Sequence, residues 1–513
     1  MSHAHRLHPA SNRGSWLFAA LRDPLYRSSY ALIANTVGTT AVGIIYWALA
    51  AHLYSREVLG RTAALVSALI LVSTFAQLNM ANTLPRFIPK AGRYAGKFIA
   101  YSYGVSSCAA LIGSLAFVTV LPHLSPQWQF LGDSRVLAAV FVAAAVVWGI
   151  FALQDVALLT LRRPVVVPIE NFVYGVCKLL MLIGVVALLP LTGIFFSWVI
   201  PLAITVPAVN WLIFRRYLKA RDSSIVGGVL RPREVVRFAS IDYLGSVLSQ
   251  AYGNLLPLLV LSVLGAAANS NFYIAWTIAS GLGLIALNFG TSMLVEGSAA
   301  PERLPDLTRG VLTRCLLITS AGAVLLTLAA HPILNIYGSG YAAHTASLLS
   351  LLAVGTIPSS LVVVAVSLDR IAGRVGRATF TRLILTILVL GGGWLLLKRV
   401  GIDGIAFAWG GANLTVALAR CPTIIGAATR RKSQRAMADP AEHSPSRHPN
   451  AAAGRHRAGA MRAPRAGQSG RLPHSTAQPA VHASLPPSPI DSEQAARALQ
   501  LLISLGKEVG SSP

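Results

Sequence analysis

Twelve mostly apolar stretches, each about 20 residues or longer, follow one another from Tyr30 to Ile425. A helix of roughly 20 apolar residues spans the ~30 Å hydrocarbon core of a bilayer. In lipid such a segment must bond its backbone polar groups internally, which a helix does. The fold class that follows is an all-α polytopic membrane protein. Only 12% of the 513 residues are charged, against roughly 25% in soluble domains, which leaves no sizeable soluble domain between the spans. The net charge of +25 would suit a nucleic-acid partner, but its placement argues against one. The basic residues sit in short loops between apolar runs and in a polar tail, as cytoplasmic loops of membrane proteins do.

Hydropathy places helices over 29–54, 58–82, 97–121, 136–161, 164–189 and 192–214, then over 236–264, 270–296, 307–330, 345–368, 374–397 and 402–425. Basic residues concentrate in alternate connections. Arg13, Arg22 and Arg27 precede the first helix; Arg86, Lys90, Arg93 and Lys97 follow the second; Arg162 and Arg163 follow the fourth; Arg215, Arg216, Lys219, Arg221, Arg231 and Arg233 follow the sixth; Arg303 and Arg309 the eighth; Arg370, Arg374 and Arg377 the tenth. The intervening connections hold only Arg56, Arg61, Arg135, Lys398 and Arg399. This bias puts both termini in the cytoplasm and requires an even number of spans.

The sequence also repeats. Thr192-Gly193-Ile194-Phe195-Phe196-Ser197-Trp198 opens the sixth helix and Asp403-Gly404-Ile405-Ala406-Phe407-Ala408-Trp409 the twelfth, 211 residues later. Arg86 and Glu296 lie 210 residues apart, and Leu161-Arg162-Arg163 precedes Leu368-Asp369-Arg370 by 207. The offset implies two six-helix lobes of equal orientation, related by an axis along the membrane normal. The expected organisation is a cytoplasmic or interfacial segment 1–28, an N-lobe 29–214, a basic linker 215–235, a C-lobe 236–425 and a cytoplasmic tail 426–513. The tail's Pro-, Ser-, His- and Arg-rich composition predicts disorder. Near 491–509, Ala495, Leu499, Leu502 and Leu505 recur at helical spacing behind a cap at Asp491-Ser492-Glu493 and predict a short amphipathic helix. The four cysteines lie in or at the ends of apolar runs without CxxC spacing and read as packing residues.

No Walker loop, HExxH or GxSxG motif is present, and the connection from Pro122 to Arg135 is too short to hold a nucleotide sugar. A chain of this kind moves a substrate and is not an enzyme; no cofactor or metal is expected. Ionisable residues inside spans are costly and mark function or internal pairing. Asp155, Glu170 and Lys178 on helices four and five, and Asp242 at the start of helix seven, are the candidates. In the functional reading Lys178 meets an anionic substrate and Asp155, Glu170 and Asp242 couple ions. In the alternative, Asp155–Lys178 or Glu170–Lys178 is a structural pair. Helix seven also carries Ser246, Gln250 and Asn254 at four-residue steps, and its counterpart helix one carries Asn35, Thr39, Thr40 and Tyr46. Such polar stripes face a wet crevice or glue neighbouring helices. Arg86 and Glu296, at matching cytoplasmic ends, are candidates for an inter-lobe gate pair, or are solvated loop charges.

Ala48-Leu49-Ala50-Ala51, Ser55-Arg56-Glu57-Val58-Leu59-Gly60-Arg61 and Leu84-Pro85-Arg86-Phe87 resemble the opening of the bacterial polysaccharide-biosynthesis flippases. These belong to the multidrug/oligosaccharidyl-lipid/polysaccharide exporter (MOP) superfamily. Ile333-Leu334-Asn335-Ile336-Tyr337-Gly338-Ser339-Gly340-Tyr341 and the Gly404 segment are similar to later parts of that family, and the resemblance spans about residues 20–425. It implies a bacterial inner-membrane protein that carries a polyprenyl-diphosphate-linked oligosaccharide to the outer leaflet by alternating access, with the lipid-linked glycan and membrane lipid as partners and glycan-assembly proteins reached through the tail. A diphosphate crossing lipid needs cations, for which Lys178, Arg86 and Arg420 are the available set. Rival readings are a drug/cation antiporter of the same superfamily, a major facilitator transporter and a membrane glycosyltransferase or polymerase. The facilitator motif is absent after helix two, and the similar Asp369-Arg370-Ile371-Ala372-Gly373-Arg374 follows helix ten.

The orientation is testable in a cysteine-free background. A cysteine at Gln127 should react with an impermeant maleimide in intact cells and one at Arg163 only after lysis; the reverse pattern would invert the topology.

Overall fold

The computed structural model describes residues 24–219, 232–241 and 243–429; the N-terminal segment, residues 220–231 of the linker, Asp242 and the tail with its 491–509 helix lie outside the described residues, as do the side chains of residues 24–37. Among the described residues twelve helices have 20 or more residues: α1 Pro24–Leu53, α2 Arg56–Ala76, α3 Ala95–Leu124, α4 Arg135–Thr160, α5 Val166–Val185, α6 Gly193–Leu212, α7 Tyr243–Leu264, α8 Ala266–Ala299, α9 Leu304–Leu328, α10 Ser339–Ile371, α11 Val375–Val400 and α12 Asp403–Thr429. Among the described residues nine helical segments are long and apolar enough to cross a bilayer, and α1 and α7 carry the shorter apolar stretches Gly38–Leu53 and Gln250–Leu264. Large apolar side chains stand exposed along peripheral helices, among them Leu111, Ile112 and Leu115 on α3 and Leu317, Val324 and Leu325 on α9. Such surface is stable only against lipid.

The pairing of helices recurs at an offset of six. In the first half α1 packs on α2 and α5, α2 on α3 and α4, α4 on α3, α5 and α6, and α5 on α6; in the second half α7 packs on α8 and α11, α8 on α9 and α10, α10 on α9, α11 and α12, and α11 on α12. The two repeated glycines have one reason to be glycine. A Cβ on Gly193 would lie 2.2 Å from the Tyr54 hydroxyl, and one on Gly404 2.6 Å from the Leu396 backbone.

The halves meet where α2 lies against α7 and α8. A Cβ at Gly60 would stand 1.8 Å from the Ala266 carbonyl oxygen, so only glycine allows this approach. The Asn269 amide then donates to the Gly60 carbonyl at 2.7 Å, a main-chain acceptor that α2 itself leaves accessible. Around this crossing, on the face opposite the basic loops, Trp47 meets Tyr273 edge-on at 4.7 Å, Arg56 lies 4.9 Å over the Tyr341 ring, and Trp128 donates to Ser262 at 3.0 Å. The connection before Arg135 therefore folds as two short helical turns, Pro126–Trp128 and Gln129–Asp133, with Trp128 fully buried. The sequence reads it as an outward loop.

One helix ends earlier than hydropathy suggests. The second stops at Ala76, not 82, because Leu78 and Asn79 take positive φ (47° and 62°). Asn tolerates that conformation, whereas Leu adopts it at a cost. Beyond the turn Met80–Ala91 forms an amphipathic helix with Leu84, Phe87 and Ile88 buried and Arg86 and Lys90 exposed. In the seventh span the described residues on either side of Asp242 are helical, Pro232–Ile241 and α7. The two short helices touch at the inner face, the face of the basic loops: Asn79 donates to the Ala239 carbonyl at 3.0 Å and Phe87 meets Phe238 at 5.9 Å.

Gly60→Ala forces α2 and α8 apart. It should cost about 1–3 kcal/mol, read as a lower melting temperature of the purified protein; an unchanged melt would mean the helices do not cross there.

Candidate functional site

Each half holds a polar cluster at membrane depth. In the first half Lys178 on α5 is 7% exposed. Its ammonium sits 4.4 Å from the Tyr46 ring centroid, 4.1 Å from Trp198 and 5.6 Å from Tyr174. Three rings from α1, α5 and α6 thus enclose one charge, an arrangement worth about 2 kcal/mol or more when desolvated. The cage is braced in turn. The Tyr46 hydroxyl bonds the Ser197 hydroxyl at 2.7 Å and the Ile194 carbonyl at 3.1 Å, and the Tyr174 hydroxyl donates to the Trp198 carbonyl at 3.2 Å. Tyr46 also contacts Trp47 edge-on at 5.4 Å, and Trp47 in turn touches Tyr273 of the second half. The cage therefore adjoins the seam.

Neither carboxylate pairs with Lys178. Glu170 accepts a hydrogen bond from the Gln154 amide; the Gln154 carbonyl accepts from Asn210 at 2.6 Å. Asp155 accepts from Asn171 at 3.1 Å. Glu170 Oε2 and Asp155 Oδ1 are buried with no donor among the described residues. α4, α5 and α6 so converge on a cluster of two carboxylates and three amides that holds no cation of its own among the described residues. The structural-pair alternative is not the arrangement found, because the aromatic cage takes up the ammonium and the amides take up the carboxylates.

Other candidates separate. Arg420 is buried on α12 and pairs with Asp369 of α10, itself 1% exposed. It is a structural cation in this conformation, which sequence reasoning missed because its partner lies 51 positions away. Arg86 is exposed and stacks 4.3 Å over Phe238. Glu296 is exposed and accepts from Ser292 at 3.1 Å. No ion pair joins Arg86 to Glu296 among the described residues. Gln250 is exposed, and the half-buried Asn254 donates to its carbonyl at 3.0 Å. Ser246 lies within 3.4 Å of Asn79 and Asn82 at the seam. On α1, Thr39 and Thr40 are exposed; Asp242 and the Asn35 side chain lie outside the described residues. Sequence reasoning named Tyr46 only as part of a polar stripe and passed over Gln154, Asn171 and Asn210. An amide inside a span is also costly, and weighing amides beside the ionisable groups would have found them.

The described architecture is that of a multi-pass, all-α membrane protein, and solved structures share it. Over 78% of this chain it superimposes on 90% of the lipid II flippase MurJ in an inward closed conformation, with TM-score 0.60 and 13% identity. Over 78% it superimposes on 96% of an inward-facing multidrug resistance MATE family transporter of the MOP superfamily, with TM-score 0.59 and 15% identity. A MOP superfamily transporter from Pyrococcus furiosus, described by a binding pocket of reverse polarity, aligns over 82% of this chain and 99% of its own at TM-score 0.54 and 13% identity. At these identities the likeness shows the fold, and the structures that share it here are transporters and a flippase. No family model matches the chain, and no curated relative matches it.

If Arg420 is structural, the pair should behave as one unit. Asp369→Leu or Arg420→Met alone should cost about 3–5 kcal/mol, with the double variant Asp369→Leu/Arg420→Met costing less than either. Additive losses in a thermal double-mutant cycle would exclude the pair.

Proposed function

We propose that the chain carries an anionic, lipid-linked saccharide of the polyprenyl-diphosphate class from the inner to the outer leaflet by alternating access of its two halves. The observation that carries this reading is Lys178: a buried ammonium with no carboxylate among the described residues at ion-pair distance, one aromatic contact from the seam between the halves. A cation held ready inside a membrane protein suits a negative headgroup. The prenyl chain stays in lipid while the diphosphate passes a crevice, for which the exposed Thr39 and Thr40 of α1 and Gln250 of α7 are the candidate lining. The bacterial cell membrane is the setting in which such substrates occur.

Coupling is assigned to Glu170 and Asp155. A proton or a small cation arriving at their cluster supplies the positive charge that the amides lack. The same carboxylates favour the second reading, a drug/cation antiporter, and the MATE likeness accords with it. Against it stands the cage: rings that would bind an organic cation are filled by the protein's own ammonium.

The two readings separate in proteoliposomes. A fluorescent polyprenyl-diphosphate oligosaccharide should change leaflets with the wild type. Lys178→Met, which keeps the stem and removes the charge, should lower the initial rate at least tenfold at a temperature where the variant remains folded. Wild-type flipping by Lys178→Met would remove the assigned role of Lys178. Transport of a cationic dye with no movement of the lipid would decide for the antiporter.

A further inference from the structure

Six basic side chains meet on the inner rim of the first half, and three separate connections supply them. Arg93 and Lys97 stand at the start of α3, Arg162 and Arg163 join α4 to α5, and Arg215 and Arg216 follow α6; all six are exposed. Apolar packing brings the three connections together. Leu158 and Ile213 share a buried cluster, against which Leu161, Phe214 and Leu218 pack. Tyr103 of α3 meets Phe214 at 6.4 Å, and a Cβ on Gly96 would lie 3.2 Å from the Leu218 side chain. Arg163 lies 5.1 Å over the Tyr217 ring. No carboxylate among the described residues pairs with any of the six.

The backbone bends to place them. α4 closes with Arg162 at φ 59°, while the Arg163 N–H donates to the Leu158 carbonyl at 2.9 Å. Glycine is the usual residue at such a helix end, and arginine there bears a conformational cost. α6 continues as a π-helical turn over Ile213–Tyr217, a rare geometry that recurs at functional positions, and this turn carries Arg215 and Arg216. The general inward bias of basic residues does not account for the concentration. At the positions equivalent to Arg162, Arg215 and Arg216 the second half has Asp369, Gly426 and Ala427, and its own basic run begins later, at Arg430.

We infer that this rim is a docking site for the headgroup of an anionic phospholipid of the inner leaflet. Like charges gathered in one place repel unless an anion lies among them, and basic residues at the membrane surface attract anionic lipid. Guanidinium groups grip a phosphate with paired N–H donors. The occupant is a lipid because the site continues toward the hydrocarbon. Tyr101, four positions beyond Lys97, and Trp211, four before Arg215, are exposed about one turn deeper than those cations. Rings at that level suit the boundary between headgroup and acyl chain. The inference does not rest on the flippase reading, since the rim belongs to one half and lies apart from Lys178.

The test uses the full chain in detergent with phosphatidylglycerol, cardiolipin and phosphatidylcholine as probes. Binding is read by native mass spectrometry and, across ionic strengths, by the lipid-induced rise in melting temperature. The wild type should bind the two anionic lipids about tenfold or more tighter than phosphatidylcholine, with the difference shrinking as salt rises. Arg215→Gln/Arg216→Gln should weaken phosphatidylglycerol about tenfold or more. Arg215→Lys/Arg216→Lys should keep most of the affinity, and Trp211→Ala should lower it without changing the salt dependence. Arg303→Gln/Arg309→Gln removes the same charge from the inner rim of the second half and should leave binding unchanged. Equal affinity of the wild type for phosphatidylcholine, a result that needs no variant, would overturn the site. Wild-type affinity in Arg215→Gln/Arg216→Gln would do the same, as would equal losses in the two glutamine double variants, which would make the effect one of overall charge. Displacement of phosphatidylglycerol by an equal concentration of inorganic phosphate would assign a free anion and overturn the lipid.

Discussion

The contact on which the two halves depend is the crossing of α2 and α8 at Gly60. Lipid offers no hydrophobic force to press helices together, so membrane interfaces rely on close backbone approach and on hydrogen bonds between helices. Gly60 provides the first by lacking a Cβ, and Asn269 provides the second by reaching the Gly60 carbonyl. The aromatic and cation–π contacts around it, Trp47–Tyr273 and Arg56–Tyr341, gain their geometry from that spacing. α2 is accordingly the most buried span, with 72% of its apolar window inside the protein, whereas only 17% is inside for the segment containing α3.

The halves share a helix-pairing scheme but hold opposite chemistry at depth. The first concentrates Asp155 and Glu170 among amides and isolates Lys178 among rings. Among the described residues the second holds Arg370, Arg382 and Arg420, with Asp369 bound to the last. A duplicated scaffold can diverge in this way because the pairings are set by small residues and apolar faces, which leaves inward polar positions free to change. The glycines that open α6 and α12 remain while the charges around them differ.

Most of the helix scaffold was legible in the sequence, because the length of an apolar run in lipid is fixed by bilayer thickness. What escaped was set by single residues in three dimensions. The second helix ends at a left-handed Leu78–Asn79 pair inside an otherwise continuous pattern. Trp128 turns an apparent loop into core by finding Ser262 on α7. The site was legible in part. Burial cost picked out Lys178, Asp155 and Glu170, yet it does not say which partner each one takes, and cages and amide clusters compete with ion pairs for that place. Arg382 lay within a span and was passed over among the basic residues at the helix ends.

The left-handed elbow has a mechanical implication. Leu78 would relax from positive φ if released, so the elbow persists because Asn79 is anchored to Ala239 and lies within reach of Ser246. Any motion that parts the halves on the inner side must first break that anchor. The helix Met80–Ala91 is then freed to reorient together with Arg86 and Lys90, so two positive charges on the membrane surface report on the spacing of the bundle beneath them.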